Sequence, residues 1–259
     1  MSSGEGYGDR SAGQPQSESS LELSDPVGLS PSLTRVLESA ARLQRLVPDA
    51  VLVGGSAAGF HARHRDSDDH DHVLSDLDNR FDMVLDALER EPDWVTNRAT
   101  AGKIVLGELG GIEAGVRQMI RRRPLDVEEV RISDNETVRV PTASETLRIK
   151  AFLIVRRNQM RDYLDVAALS AHLGTSTAAR TLADIDTYYG DLRGTEQSSA
   201  DRVSSQLVRQ LGNPRPRDQQ SIAGISHYKG IRAPWDRWEA VRAQCIALAA
   251  HMLDENREE

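Results

Sequence analysis

The chain has a single cysteine, Cys245, among its 259 residues. A lone thiol excludes an internal disulfide framework and any zinc site built from several cysteines. Aromatic residues are scarce, at 4%, so a core must be assembled from aliphatics with few large rings to anchor it. No apolar run approaches the ~20 residues that a membrane span needs. The Ser-, Gly-, Glu- and Gln-rich start carries no apolar segment of the secretory kind. These absences point away from a membrane and toward the cytoplasm. An excess of basic charge is lacking too: the formal net charge is −8, which argues against broad adsorption to nucleic acid. Basic residues still cluster locally, at Arg121–Arg123 and at Arg148, Lys150, Arg156, Arg157 and Arg161. Such clusters read either as solvated faces or as grips on a phosphate backbone.

What the chain does have is concentrated in residues 51–74. An apolar run, Ala50 to Val53, stops at Gly54-Gly55-Ser56, and Arg65-x-Ser67-x-Asp69-x-Asp71 follows. The run reads as a buried strand, Ser56 to about His64 as a short helix, and His70–Leu74 as the next strand. Alternate residues on a strand face one way, so the Asp69 and Asp71 carboxylates share a face. Two like charges so placed persist best with a divalent cation between them. Oxygen-only ligands favour Mg²⁺ or Mn²⁺, with triphosphate oxygens and water completing the shell. Small residues at Gly54-Gly55-Ser56 allow a phosphate close to the backbone, and the helix N-terminus offers N–H donors to it. The order strand, Gly-Gly-Ser, helix, Asp-x-Asp, strand therefore reads as a site for a nucleoside triphosphate and its metal.

Around that segment the chain divides. Residues 1–28 are polar, of low complexity, and expected to be disordered. Ser30-Pro31 reads as an N-cap followed by a first-turn proline, opening a helix to about Leu46. Leu77–Glu89 has helical spacing. Trp94–Thr96, Lys103–Leu106, Ile112–Ile120, Leu125–Ile132 and Thr137–Val140 read as short strands between turns. Thr142-x-x-Glu145 is a capping box. Beyond it the chain reads helical over about 143–157, 159–173, 176–189, 198–211 and 235–255. The expectation is an α+β chain: a mixed sheet with helices over 29–140, then a helical bundle over 141–259 that completes the active site.

The Gly54-Gly55-Ser56 and Arg65-x-Ser67-x-Asp69-x-Asp71 elements resemble the nucleotidyltransferase (polymerase β-like) superfamily. More narrowly, they look like the AbiEii/AbiGii-type toxin nucleotidyltransferases, which include the MenT toxins. Downstream, Glu145-x-x-x-x-Lys150, Arg157 and Arg161-Asp162-x-x-Asp165 follow in the order that family shows, so the resemblance covers roughly residues 30–170. It implies a nucleotidyltransferase that moves a nucleoside monophosphate from an NTP to an acceptor hydroxyl. The implied acceptor is the 3′ end of tRNA and the implied donor CTP or UTP. The chain would then be a toxin restrained by a cognate antitoxin. The resemblance assigns Asp69 and Asp71 to metal, and Lys150 to the triphosphate, where a flexible point charge suits the role. Asp162 would complete the catalytic centre or position Lys150. Gly55, Ser56, Ser67 and Arg157 fall to the nucleotide. Ser67 is also where phosphorylation by an antitoxin would repel the triphosphate. Polymerase β-like enzymes add a third carboxylate from a later strand, and here Asp126 or Glu128 could serve.

Other readings compete. A protein hydroxyl or a small molecule could be the acceptor, and the fold could serve as an inactive binding module, although Asp69, Asp71 and Lys150 are intact. His61, His64, His70 and His72 crowd the same segment and suggest a histidine-based metallohydrolase. Against that, His70 and His72 share the strand face opposite Asp69 and Asp71, leaving solvent-exposed or locally hydrogen-bonded histidines as the simpler expectation. Trp235, Trp238 and Val241, and Cys245, Leu248 and Met252, have the spacing of a buried helix face rather than of a base-stacking surface.

Overall fold

The computed structural model describes Met1, residues 28–190 and residues 202–258. The tail expected over 1–28 lies outside them except at its two ends, and so does the start of the helix expected from 198. Helix α1 (Pro31–Leu46) opens as its sequence dictates. Ser30 Oγ accepts the Leu33 N–H at 3.1 Å, and Pro31 sits in the first turn, where a missing donor costs nothing. Its Leu33, Val36, Leu37, Ala40 and Leu43 are buried. Then come β1 (Val51–Val53), α2 (Gly54–Ala62), β2 (Asp69–Leu74), α3 (Leu77–Glu89), β3 (Trp94–Thr100), β4 (Ile104–Leu109) and β5 (Ile112–Gln118). The strands form a mixed sheet in the order β1-β2-β5-β4-β3. Only β2 and β5 run parallel; the other pairs are antiparallel. An antiparallel hairpin, β6 (Val127–Ser133) with β7 (Glu136–Pro141), packs its Val130, Ile132, Val138 and Val140 against α1 and Leu52 of β1.

The remainder is helical: α4 (Ala143–Arg157), α5 (Met160–Leu173), α6 (Thr175–Ala183), α7 (Ile185–Tyr189), α8 (Val203–Gly212), a 3₁₀ segment (Gln219–His227) and α9 (Trp238–Glu258). The architecture is α+β, a mixed sheet followed by a helical bundle. One apolar cluster runs through these helices and takes in Ala58 of α2, so α2 joins the sheet to the bundle. Val241, Cys245, Leu248 and Met252 are buried in it, with Trp235 and Trp238 packed against it, as their spacing predicts. Burial pushes the Cys245 thiol pKa up.

Three elements depart from their sequence reading. Helix α2 begins two residues early, at Gly54, and ends where Arg63 turns left-handed at φ 50°. His64 therefore lies past the helix and shares no face with His61. The helix expected over 176–189 breaks at Asp184, whose carbonyl accepts the Thr187 N–H at 2.9 Å as α7 starts. Only half of the capping box forms. Thr142 Oγ1 accepts the Glu145 N–H at 3.2 Å, but the Glu145 side chain turns inward to Arg121 and Arg148.

The side chains of His61, His64, His70 and His72 are buried rather than exposed. β2 alternates as period two requires: His70, His72 and Leu74 are hidden, while Asp69, Asp71 and Val73 are half-exposed. His70 pairs with Ser39 of α1 at 3.0 Å. His61 donates to the Pro141 carbonyl at 2.7 Å, and His64 to Asp165 at 2.8 Å. Burial lowers the His61 pKa to about 4, only partly offset by its bond to Pro141, and burial likewise lowers that of His64. A histidine near 6.5 in the unfolded chain then binds more protons unfolded than folded between about 6.5 and 4. Stability is therefore expected to fall as pH drops through that window. Urea midpoints at pH 7.5 and pH 5 should differ clearly, and equal midpoints would contradict the burial of these rings.

Candidate active site

β1 feeds directly into α2, and Gly54 makes the junction at φ 78°. The first N–H groups of α2 have no helical acceptor, and Gly54 and Gly55 line a cleft of about 590 Å³ between the sheet and the helices. The Gly-Gly pair is thus the helix's first turn, not a loop ahead of it. Asp69 and Asp71 enter the same cleft from β2. Ser67 Oγ donates to Asp69 Oδ1 at 2.7 Å, and Arg117 Nε of β5 donates to Asp71 Oδ1 at 3.1 Å. Ser56 departs from expectation. It is fully buried and spends its hydroxyl on the Asp69 carbonyl, so it orients β2 instead of a ligand.

Close approach explains Gly55. A Cβ there would lie 2.7 Å from Ser67 Oγ and 3.0 Å from an Arg65 guanidinium nitrogen. Both neighbours are held, Ser67 by Asp69 and Arg65 by Asp165, and neither can move cheaply. Gly55→Ala is expected to cost about 1–3 kcal/mol of stability. Thermal melting checks this, and a neutral substitution would mean that this corner is loosely packed.

The helical side of the cleft is organised by Asp165, which is fully buried. Arg65 grips it through Nε at 2.9 Å and a terminal nitrogen at 3.0 Å, Lys150 Nζ reaches it at 2.7 Å, and His64 donates at 2.8 Å. Burial pushes this carboxyl pKa up, but the Arg65 and Lys150 charges and the His64 bond outweigh it, and the net pKa lies well below the usual range. Asp165, not Asp162, therefore positions Lys150. Asp162 is also fully buried, does not line the cleft, and holds Arg157 through two bonds of 2.7 Å. Neither aspartate solvates its helix. Lys150 and Arg157 line the cleft, each fixed from behind.

The third-carboxylate candidates do not come to the site. Asp126 is exposed and paired with Arg148 at 3.1 Å, and Glu128 lies 3.8 Å from His61; neither lines the cleft. Among the described residues, no three His, Cys, Asp or Glu side chains converge as a metal-holding group. The four histidines point to separate partners or under the sheet. Arg121 lines the cleft with its charge already taken. It is buried against Glu145 at 2.7 Å, its guanidinium 5.0 Å from the Tyr188 ring and 5.3 Å from the Tyr189 ring. Arg122, Arg156 and Arg161 stay exposed.

Four contributors escaped the sequence reading as site residues: Arg117, Asp165, Tyr228 and Lys229. The last two come from the stretch after the 3₁₀ segment, which returns to wall the cleft. The Asp66 N–H donates to the Lys229 carbonyl at 2.8 Å and the Arg232 N–H to the His64 carbonyl at 2.9 Å. Tyr228 lies 5.7 Å from the Arg65 guanidinium. Only the Arg161-Asp162-x-x-Asp165 spacing held a signal, since residues three apart on a helix share a side; the others carry none.

Cleft charge is balanced. Seven cationic side chains and four carboxylates line it, and four of the cations, Arg65, Lys150, Arg157 and Arg121, share three further carboxylates behind the wall, Asp165, Asp162 and Glu145. Such a site suits a triphosphate already carrying a divalent cation better than a bare polyanion. The Asp69 and Asp71 donor set fits that role: two half-exposed carboxylates on one face of one cleft.

No family model matches the chain. Solved structures similar to it include JHP933 from Helicobacter pylori, at TM-score 0.45 and 13% identity over 89% of this chain and 97% of that one. An antigenic nucleotidyltransferase-like protein from Paracoccidioides brasiliensis gives 0.42 and 17% over 61% and 88%. Overlap at that level assigns nothing by itself. In sequence, the chain is 32% identical over 236 residues to the heme uptake protein MmpL11 of Mycobacterium tuberculosis H37Rv, covering 86% of this chain and 23% of that protein. It is 36% identical over 184 residues to the mycolic acid-containing lipids exporter MmpL11 of Mycolicibacterium smegmatis, covering 71% and 16%. The chain thus spans less than a quarter of the length of these curated relatives.

Proposed function

We propose that this chain is a nucleotidyltransferase that moves a nucleoside monophosphate from a metal-bound NTP to an acceptor hydroxyl. One observation carries the reading: Asp69 and Asp71 enter a single cleft beside the N-terminus of α2, facing Lys150 held by Asp165. Asp69 and Asp71 would hold Mg²⁺ or Mn²⁺, which supplies charge neutralisation at the reacting phosphate. The free N–H groups of α2 receive phosphate oxygens. Lys150 and Arg157, fixed from behind, offset triphosphate charge without reorganising. The acceptor oxygen bonds to the α-phosphorus, the bond to the α–β bridging oxygen breaks, pyrophosphate leaves and the hydroxyl proton passes to water.

The acceptor proposed is the 3′ end of tRNA, with exposed Arg161 on the cleft wall, and exposed Arg122 and Arg156 next in sequence to the cleft residues Arg121 and Arg157, to meet an RNA backbone. The biological role proposed is that of a cytoplasmic toxin held in check by an antitoxin. A phosphoryl group on Ser67 would place negative charge against Asp69, the carboxylate its hydroxyl now serves. Heme uptake and lipid export are named for proteins of which this chain covers less than a quarter, and no helix among the described residues is long and apolar enough to cross a membrane. The chemistry of the cleft therefore carries the reading. The test incubates the protein with each labelled NTP, Mg²⁺ and total tRNA. Label should move to RNA with one NTP preferred. Label on the protein itself would redirect the reading to protein modification, and no transfer to RNA with any NTP would sink the tRNA acceptor.

A further inference from the structure

β5 runs parallel to β2, so residues in register stand side by side on the same face. Asp71 is in register with Gly115, and Val73 with Arg117. Gly115 offers no side chain, and a Cβ there would lie 2.8 Å from Asp71 Oδ1. A carboxylate cannot stand beside Asp71 at that position. Glu113, in register with Asp69, is exposed and does not line the cleft. What reaches Asp71 from β5 is the Arg117 guanidinium, with Nε 3.1 Å from Oδ1.

We propose that Arg117 is a phosphate-holding residue parked on Asp71. In the nucleotide-free protein it occupies the carboxylate that a divalent cation needs, and it transfers to the triphosphate when cation and nucleotide arrive together. This rests on the nucleotidyltransferase reading. The Arg117 and Asp71 side chains are 45% and 32% exposed, so water screens their attraction and exchange is cheap. The planar guanidinium fork fits phosphate oxygens as well as it fits carboxylate. Once Arg117 leaves, Asp69 and Asp71 repel unless a cation sits with them. Cation entry and phosphate entry are therefore coupled, each raising the affinity for the other. The arrangement disfavours a cation bound alone and matches a cleft whose charges already balance.

The experiment titrates the full chain with Mn²⁺, read by electron paramagnetic resonance, with and without inorganic tripolyphosphate. Tripolyphosphate removes any dependence on the base. Arg117→Gln and Arg117→Ala should bind Mn²⁺ alone up to about fivefold more tightly, because the competing cation is gone. The same variants should bind tripolyphosphate with Mn²⁺ about tenfold more weakly, having lost a charge-assisted contact. Arg117→Lys, which keeps the charge, should return the affinity for Mn²⁺ alone toward the parent value. Asp71→Asn should lose Mn²⁺ in every condition. If the Arg117 variants bind Mn²⁺ as the parent does while Asp71→Asn loses it, the parked arginine is wrong and the metal-dependent site stands. If Asp71→Asn binds Mn²⁺ unchanged, the site reading and the arginine proposal fall together.

Discussion

An Asp165→Asn protein is expected to lose about 3–5 kcal/mol of stability and to melt about 6–20 °C below the parent. Asp165 is fully buried and is the shared counter-ion of Arg65 and Lys150, with His64 as a further donor. An amide of the same shape keeps the packing but removes the charge. Two buried cations are then uncompensated, and uncompensated charge in a poorly polarisable interior is costly. The depressed pKa of Asp165 has the same consequence in pH. Its contribution is present above the unfolded carboxyl pKa and is lost as pH falls toward the folded one. Asp162→Asn provides the contrast. Its partner Arg157 is one-third exposed, so the stranded guanidinium can turn to water and the loss should be smaller. Calorimetry of the two variants decides the matter. An Asp165→Asn melting point equal to that of the parent would mean that the four-residue cluster is not formed.

The Asp71→Asn protein should behave in the opposite way, folding normally and transferring about a thousandfold less. Its ion-pair partner among the described residues, Arg117, is half-exposed, and a pair of that kind contributes about 0–1 kcal/mol to stability. On the proposed reading its catalytic share is larger. A carboxylate that would hold the metal against the reacting phosphate is worth several kcal/mol of barrier, and each 1.36 kcal/mol is tenfold in rate. Melting and labelled-NTP transfer, measured on the same preparation, separate the two residues: Asp165 acts on stability first, Asp71 on rate alone. Transfer by Asp71→Asn within a few-fold of the parent would remove Asp71 from the chemistry.

Both variants show where the sequence could be read and where it could not. Asp69 and Asp71 are two residues apart on a strand, and period two puts them on one face whatever surrounds them. The bounds of α3 and α4 and the Ser30 cap follow from local spacing and local hydrogen bonds in the same way. Asp162 and Asp165 are a different case. Both sit in one motif on one helix, and the choice between them turns on which is met by Lys150 and which by Arg157. That depends on how α4 packs on α5 and on where the Arg65 turn arrives, a hundred residues earlier in the chain. Arg121 illustrates the same limit, since only packing reveals that Glu145 and two tyrosines claim it.

The sequence by itself determined the mixed sheet followed by helices, the strand–helix–strand segment, and the pairing of Asp69 with Asp71 on one face. Each of these rests on backbone periodicity and on interactions within a few residues. Tertiary structure alone decided that Asp165 holds Lys150, that Ser56 supports β2 instead of a ligand, that Arg117 covers Asp71, and that Tyr228 and Lys229 close the cleft. Those outcomes depend on which surfaces meet after collapse, where burial forces each charge to find a counter-ion from a distant part of the chain. Local pattern carries no record of that choice.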